Sequence, residues 1–222
     1  DDIDAIAVTY APGLVGSLLV GTLAARTLAI LRDKPLYAIH HVEAHVYANF
    51  ITESNGSALQ LPSKQPEFPL LALIVSGGHT QLVLFHGHGD YELLGQTQDD
   101  AVGEAFDKVA KILGLPYPGG PSIAAATERG DPEKYHLPKA KLDSPYNFSF
   151  SGLKTAVLRA VQHAVGKDFT FPSHELPKLI NDVQRADFAA SFQRVAVETL
   201  VERTLRAYSD FAPRSVVIAG GV

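Results

Sequence analysis

Residues 3–45 read IDAIAVTYAPGLVGSLLVGTLAARTLAILRDKPLYAIHHVEAH. Ile3 to Thr9 is a short β-type run, Ala11-Pro12-Gly13 turns the chain, and Val15 to Arg32 continues as a Leu-, Ala- and Val-rich stretch of helical pattern. Pro35 to Ile39 is a second strand, which leads through His40 and His41 into a helix expected to reach about Ile51. Two strand–helix units in succession imply a parallel sheet, so the fold class is α/β.

Downstream, Thr52 to Phe68 is polar and aperiodic, with Asn55-Gly56-Ser57, Pro62 and Pro66, and reads as an exposed linker. A boundary placed there divides the chain into 1–68 and 69–222. Leu70 to Ser76, His79 to Phe85 and Tyr91 to Leu94, joined by tight turns, predict an antiparallel meander. Helices are expected at about Ala101 to Leu113, Pro121 to Glu128, Ser151 to Val165 and Asp182 to Phe211, before a closing strand at Ser215 to Ala219. No repeat of fixed period is present.

The 222 residues are 46% hydrophobic, enough to bury a substantial core, which excludes a disordered or fibrous chain. No cysteine is present, so disulfides, thiol nucleophiles and Cys-based zinc sites are excluded, and a metal would need His and carboxylate ligands. Net charge is −5, which gives no global electrostatic footprint for nucleic acid. The apolar stretches around Leu18 to Val20 and Leu70 to Val75 are too short or too interrupted to span a bilayer, so a soluble protein is expected. Asp1 in place of Met, and a last strand running into Gly220-Gly221, lead us to expect a segment cut at both ends.

Four features could carry chemistry. His41 and His45 are spaced i, i+4 just beyond a strand end, which puts both imidazoles on one helix face, close enough to share a metal; the same spacing also suits two ordinary polar helix residues. His40 points about 100° away around the helix. A zinc protease would need Glu directly after the first His, where this chain has Val42. No third ligand is singled out by spacing, and it is expected beyond Val222.

Val75-Ser76-Gly77-Gly78-His79-Thr80 is a glycine turn between apolar strands, able to offer backbone amides and two hydroxyls to an anion, or else an ordinary hairpin. Gly220-Gly221 is a second turn of that kind. In the third feature, Gly103 to Lys108 with Tyr117-Pro118-Gly119-Gly120-Pro121, Asp107 could accept a sugar hydroxyl, and equally could be a solvated helix carboxylate. The fourth, Asn147 to Thr155, places Lys154 in the first turn of a helix, as an anion or RNA contact or simply after an N-cap at Ser151. Lys134, His136, Lys139 and Lys141 upstream make a basic loop able to touch phosphates or remain solvated, and His86 and His88 read as exposed turn residues.

Taken in order, Pro12-Gly13-Leu14 with Gly16 to Gly21, His40 to His45, Val75 to Thr80, Gly103 to Lys108, Tyr117 to Pro121, Phe148 to Thr155 and Gly220-Gly221-Val222 resemble the TsaD family of tRNA adenosine threonylcarbamoyltransferases, over nearly the whole chain. One departure is Ala11, where that family usually has Gly. The resemblance implies a two-lobed fold of the actin, sugar kinase and heat-shock ATPase type (ribonuclease H-like), incomplete here at both ends. It implies that His41 and His45 bind one divalent ion per subunit, iron or zinc, and that Ile74, Val75, Ser76, Gly77, Gly78, Asp107 and Gly120 line the site for threonylcarbamoyl-AMP.

Implied partners are tRNA and, in bacteria, a paralogous TsaB-type subunit and a TsaE-type ATPase, with no membrane and a cytoplasmic location, a mitochondrial one being the alternative. No protein nucleophile is implied. Two other readings remain at this point: a non-catalytic paralogous scaffold of the same complex, which lacks the metal pair, and a metallopeptidase.

Overall fold

Strand β1 (Ile6–Ala11), helix α1 (Val15–Arg32), strand β2 (Leu36–His40) and helix α2 (His41–Tyr47) follow one another directly, and β1 and β2 pair in parallel, Ile6 opposite Leu36 and Thr9 opposite Ile39. The computed structural model describes residues 2–52 and 63–221. Two compact units divide between Pro66 and Glu67. Most of the expected linker, residues 53–62, lies outside the described residues, as does Val222.

In the first unit, α1 has the bounds its sequence pattern predicts. It ends at Asp33, whose left-handed backbone (φ 47°) returns its N–H to Ala29 and Ile30. Contrary to the sequence expectation, this helix is long and apolar enough to cross a membrane by length and composition. Its polar residues do not interrupt it, because Thr22 and Thr27 donate their hydroxyls back to the Leu18 and Leu23 carbonyls. Helix α2 is shorter than expected: it gives way after Tyr47 to a 3₁₀ turn, Ala48–Phe50.

The second unit is built on one mixed sheet of strands β3 (Leu70–Val75), β4 (Thr80–Gly87), β5 (Asp90–Gln96) and β6 (Ser215–Gly220) in the order β5-β4-β3-β6. The first three form the expected antiparallel meander. Strand β6 joins parallel to β3, Leu70 opposite Ser215 and Val75 opposite Gly220. Helices α3 (Val102–Leu113), α4 (Gly119–Thr127), α5 (Ser151–Ala164) and α6 (Asp182–Phe211) complete it. Asn181 and Gln184 start α6 with a reciprocal capping box.

Leu71, Leu73 and Val75, alternate residues of β3, join Phe106, Val109 and Leu113 of α3 and Phe188 and Phe192 of α6 in one core. The Phe106 and Phe192 rings meet edge to face at 4.9 Å. Burying each such ring contributes about 1.5–3 kcal/mol. Phe148 and Phe150 are fully buried.

Candidate functional site

Val42 and Val46 are buried on one side of α2, and His41 and His45, each one residue earlier, lie about 100° around the helix from them, His41 exposed and His45 half-buried. Their Nε2 atoms stand 3.2 Å apart and their rings meet at 67°. Two imidazole nitrogens each about 2.0–2.1 Å from one tetrahedral ion lie about 3.3 Å apart, so the pair fits a shared divalent cation. Burial first, and then the neighbouring His41 ring, pushes the His45 pKa below the ordinary imidazole value, which favours the neutral, metal-ligating form. Among the described residues no cluster of three or more His, Asp or Glu side chains is placed to hold a metal, so an ion on this pair would need ligands beyond them. His40 closes β2, and its Nδ1 is buried without a hydrogen-bond partner.

In the second unit a cleft of about 520 Å³ opens between the ends of β3 and β6, α3, the start of α4 and the middle of α6. Its walls are largely apolar, with Val102 and Phe106 on one side and Val197 and Leu200 on another. Four glycines line it: Gly77, Gly103, Gly120 and Gly221. At Gly77, Gly120 and Gly221 a Cβ would meet nothing within 4 Å, and none of these three has a left-handed backbone. Neither packing nor φ requires glycine there, so what these positions provide is bare backbone facing the cleft. Gly220 differs, with φ 121° and a virtual Cβ 1.8 Å from the Val75 carbonyl oxygen, and it therefore holds β6 hard against β3.

Asp107, near the middle of α3, also lines the cleft; its Oδ1 accepts the Gly119 N–H at 2.7 Å, and Oδ2 has no partner among the described residues. One carboxylate thus fixes the α4 start and still offers an acceptor to a ligand hydroxyl. Of the expected ligand-binding residues, Val75, Gly77, Asp107 and Gly120 meet around this cleft, while Ile74, Ser76 and Gly78 do not border it. Ile74 is buried and alternates to the other sheet face from Val75. The Ser76 hydroxyl accepts the His79 N–H across the turn. Thr80, read as a phosphate contact, is fully buried, and its Oγ1 accepts the Val102 N–H at the start of α3.

A second correction concerns the basic candidates. Lys154 Nζ lies 2.9 Å from Asp100 Oδ2 and Lys108 Nζ lies 2.7 Å from Asp100 Oδ1. Lys139 pairs with Glu198 and Glu202 on α6. These charges are committed within the fold. Ser151 is the first residue of α5 and not its N-cap; Phe150 holds that position, and the capping oxygens come from Asp99, 51 residues earlier in the chain.

Asp99 accepts from the Phe150 and Ser151 N–H groups through Oδ1 and from the Ser149 and Ser151 hydroxyls through Oδ2. Burial pushes the Asp99 pKa up, but these bonds outweigh it and hold the carboxyl below its ordinary value. The consecutive acids Asp99-Asp100, just before α3, were the only trace of this clamp in the sequence. His86 and His88 are exposed at the β4–β5 hairpin, as read.

A family model described as TsaD, tRNA N6-adenosine threonylcarbamoyltransferase, matches residues 1–222. Curated relatives carry that same enzyme name. One from Symbiobacterium thermophilum is 53% identical over 222 residues, covering 100% of this chain and 58% of its own length. One from Thermomicrobium roseum is 52% identical, covering 99% and 61%, and one from Gloeobacter violaceus is 51% identical, covering 100% and 58%. The chain thus spans roughly three fifths of the length of these relatives.

Proposed function

Since the chain belongs to the TsaD family of tRNA N6-adenosine threonylcarbamoyltransferases, we propose that the full-length protein transfers the threonylcarbamoyl group of threonylcarbamoyl-AMP to the exocyclic amine of the adenosine beside the anticodon, in tRNAs reading codons that begin with A. The observation that carries this reading is the cleft of the second unit. Its apolar walls suit a flat base, the second oxygen of Asp107 suits a ribose hydroxyl, and the bare backbone at Gly77, Gly120 and Gly221 admits a phosphate or ribose close to peptide groups.

In the transfer, the adenosine amine attacks the carbamoyl carbon, the carbon–oxygen bond to the phosphate breaks, AMP departs, and one amine proton is released. No protein nucleophile takes part. His41 and His45 would hold the divalent ion, iron or zinc, which when bound supplies Lewis acidity to oxygens of the substrate. What the chain itself contributes is orientation: the Asp107–Gly119 bond fixes the α3–α4 junction against which the nucleotide lies.

The same reading takes the two units as parts of a two-lobed, ribonuclease H-like fold, and the protein as a nucleotide-binding, cytoplasmic enzyme working with tRNA and with TsaB- and TsaE-type proteins. The test uses full-length protein with tRNA and threonylcarbamoyl-AMP. Metal content and modified nucleoside should both disappear in the H41A/H45A double variant. Undiminished modification by the metal-free variant would overturn the reading, and a wild type that binds nucleotide but never modifies tRNA would favour a scaffold subunit.

A further inference from the structure

Gln193 of α6 borders the same cleft, on the helix face it shares with Val197 and Leu200. Among the residues lining that cleft, Asp107, Tyr117 and Gln193 have polar side chains. The Asp107 carboxylate is tied to Gly119 at the α3–α4 junction, and Tyr117 stands at the rim, strongly exposed. Gln193 is half-buried, and among the described residues its carboxamide makes no hydrogen bond. A carboxamide at the border of an apolar cleft, with no protein partner to hold it, is free to exchange its water for a ligand's donor and acceptor. Its other flank borders a smaller hollow shared with Arg194 and Glu198, each of which already has an ion-pair partner.

We propose that Gln193 is the residue that reads the base of the bound nucleotide, pairing its carboxamide with the exocyclic amine and adjacent ring nitrogen of adenine. A carboxamide carries a donor and an acceptor side by side, and adenine presents the complementary acceptor and donor, which makes Gln a natural bidentate partner for it. Val197 and Leu200, one and two turns further along, supply the apolar surface against which the ring lies. This inference rests on the reading of the cleft as the adenylate site, and assigns to α6 the discrimination of the base.

The experiment is a calorimetric titration of the full-length protein with AMP and with purine riboside 5′-monophosphate, which lacks only the amine. Wild type should bind AMP at least about fivefold more tightly. In Gln193→Leu, and in Gln193→Met as a second variant that preserves side-chain length, the two ligands should bind equally, with the thermal midpoint unchanged. A fivefold preference retained in either folded variant would overturn the assignment. Equal binding by wild type would also overturn it while leaving the adenylate cleft in place, whereas a wild type that binds neither ligand would remove the cleft reading and this inference together.

Discussion

A methyl group placed on Gly119 would lie 2.5 Å from the Asp107 Cα and 2.6 Å from the Phe106 carbonyl oxygen, so α3 and α4 touch backbone to backbone at the point where Asp107 accepts the Gly119 N–H. Nothing flexible stands between them, and Gly119→Ala must push the helices apart. The expected cost is about 1–3 kcal/mol, read from the urea midpoint of the full-length protein, together with weaker nucleotide binding because the Asp107 bond is lost.

Gly120 is the contrasting neighbour. Its virtual Cβ meets nothing within 4 Å, and it lines the cleft. Gly120→Ala should leave stability within about 0.5 kcal/mol of wild type while weakening AMP binding. Gly77→Ala should behave the same way, and a midpoint shift as large as that of the Gly119 variant would contradict the assignment of bare backbone to ligand approach.

Single replacements of His41 or His45 by Ala should reduce bound iron or zinc severely without destabilising the fold, because the buried side of α2 is carried by Val42 and Val46. Elemental analysis after dialysis, alongside circular dichroism, checks both halves of the statement. Removing metal from wild type with a chelator should abolish tRNA modification and restore it on readdition.

Asp99 clamps the start of α5, and its folded pKa is held down because hydrogen bonds from Ser149, Phe150 and Ser151 outweigh the opposing effect of burial. A depressed folded value means the stabilising contribution is complete above the unfolded value, about 3.9, and is lost as pH falls through the lower folded value. Stability from this group should therefore be flat between about pH 5 and 8. Asp99→Ala should cost about 1 kcal/mol at neutral pH, with a progressively smaller difference from wild type in acid titrations below pH 4.

Much of this architecture was legible from local signals. Helix α6 has the bounds expected of it, Asp182 to Phe211, and the Leu- and Ala-rich run marked α1. The i, i+4 spacing of His41 and His45 was sufficient to predict that their rings meet. Roles set by distant chain were not legible. Gly119 and Gly120 are adjacent and identical in sequence, yet one is demanded by α3 packing against it and the other is not. Thr80 and Lys154 looked available for phosphate until the structure placed Val102 and Asp100 beside them. The apolarity of α1 was underestimated because hydroxyls that bond within their own helix do not weaken it as free ones would.

The pairing of Leu70 with Ser215 makes the central strand of the second unit wait for nearly the last residues of this chain. On a translating ribosome adding roughly 5–20 residues per second, β3 would emerge with β4 and β5 on one flank and nothing on the other for roughly seven to thirty seconds. During that interval a row of unsatisfied peptide groups and a fully apolar strand are open to any passing β-edge. Nascent chains of this protein should accordingly be clients of holding chaperones, and overexpression faster than those chaperones can serve should send the product into inclusion bodies even though the finished unit is well packed.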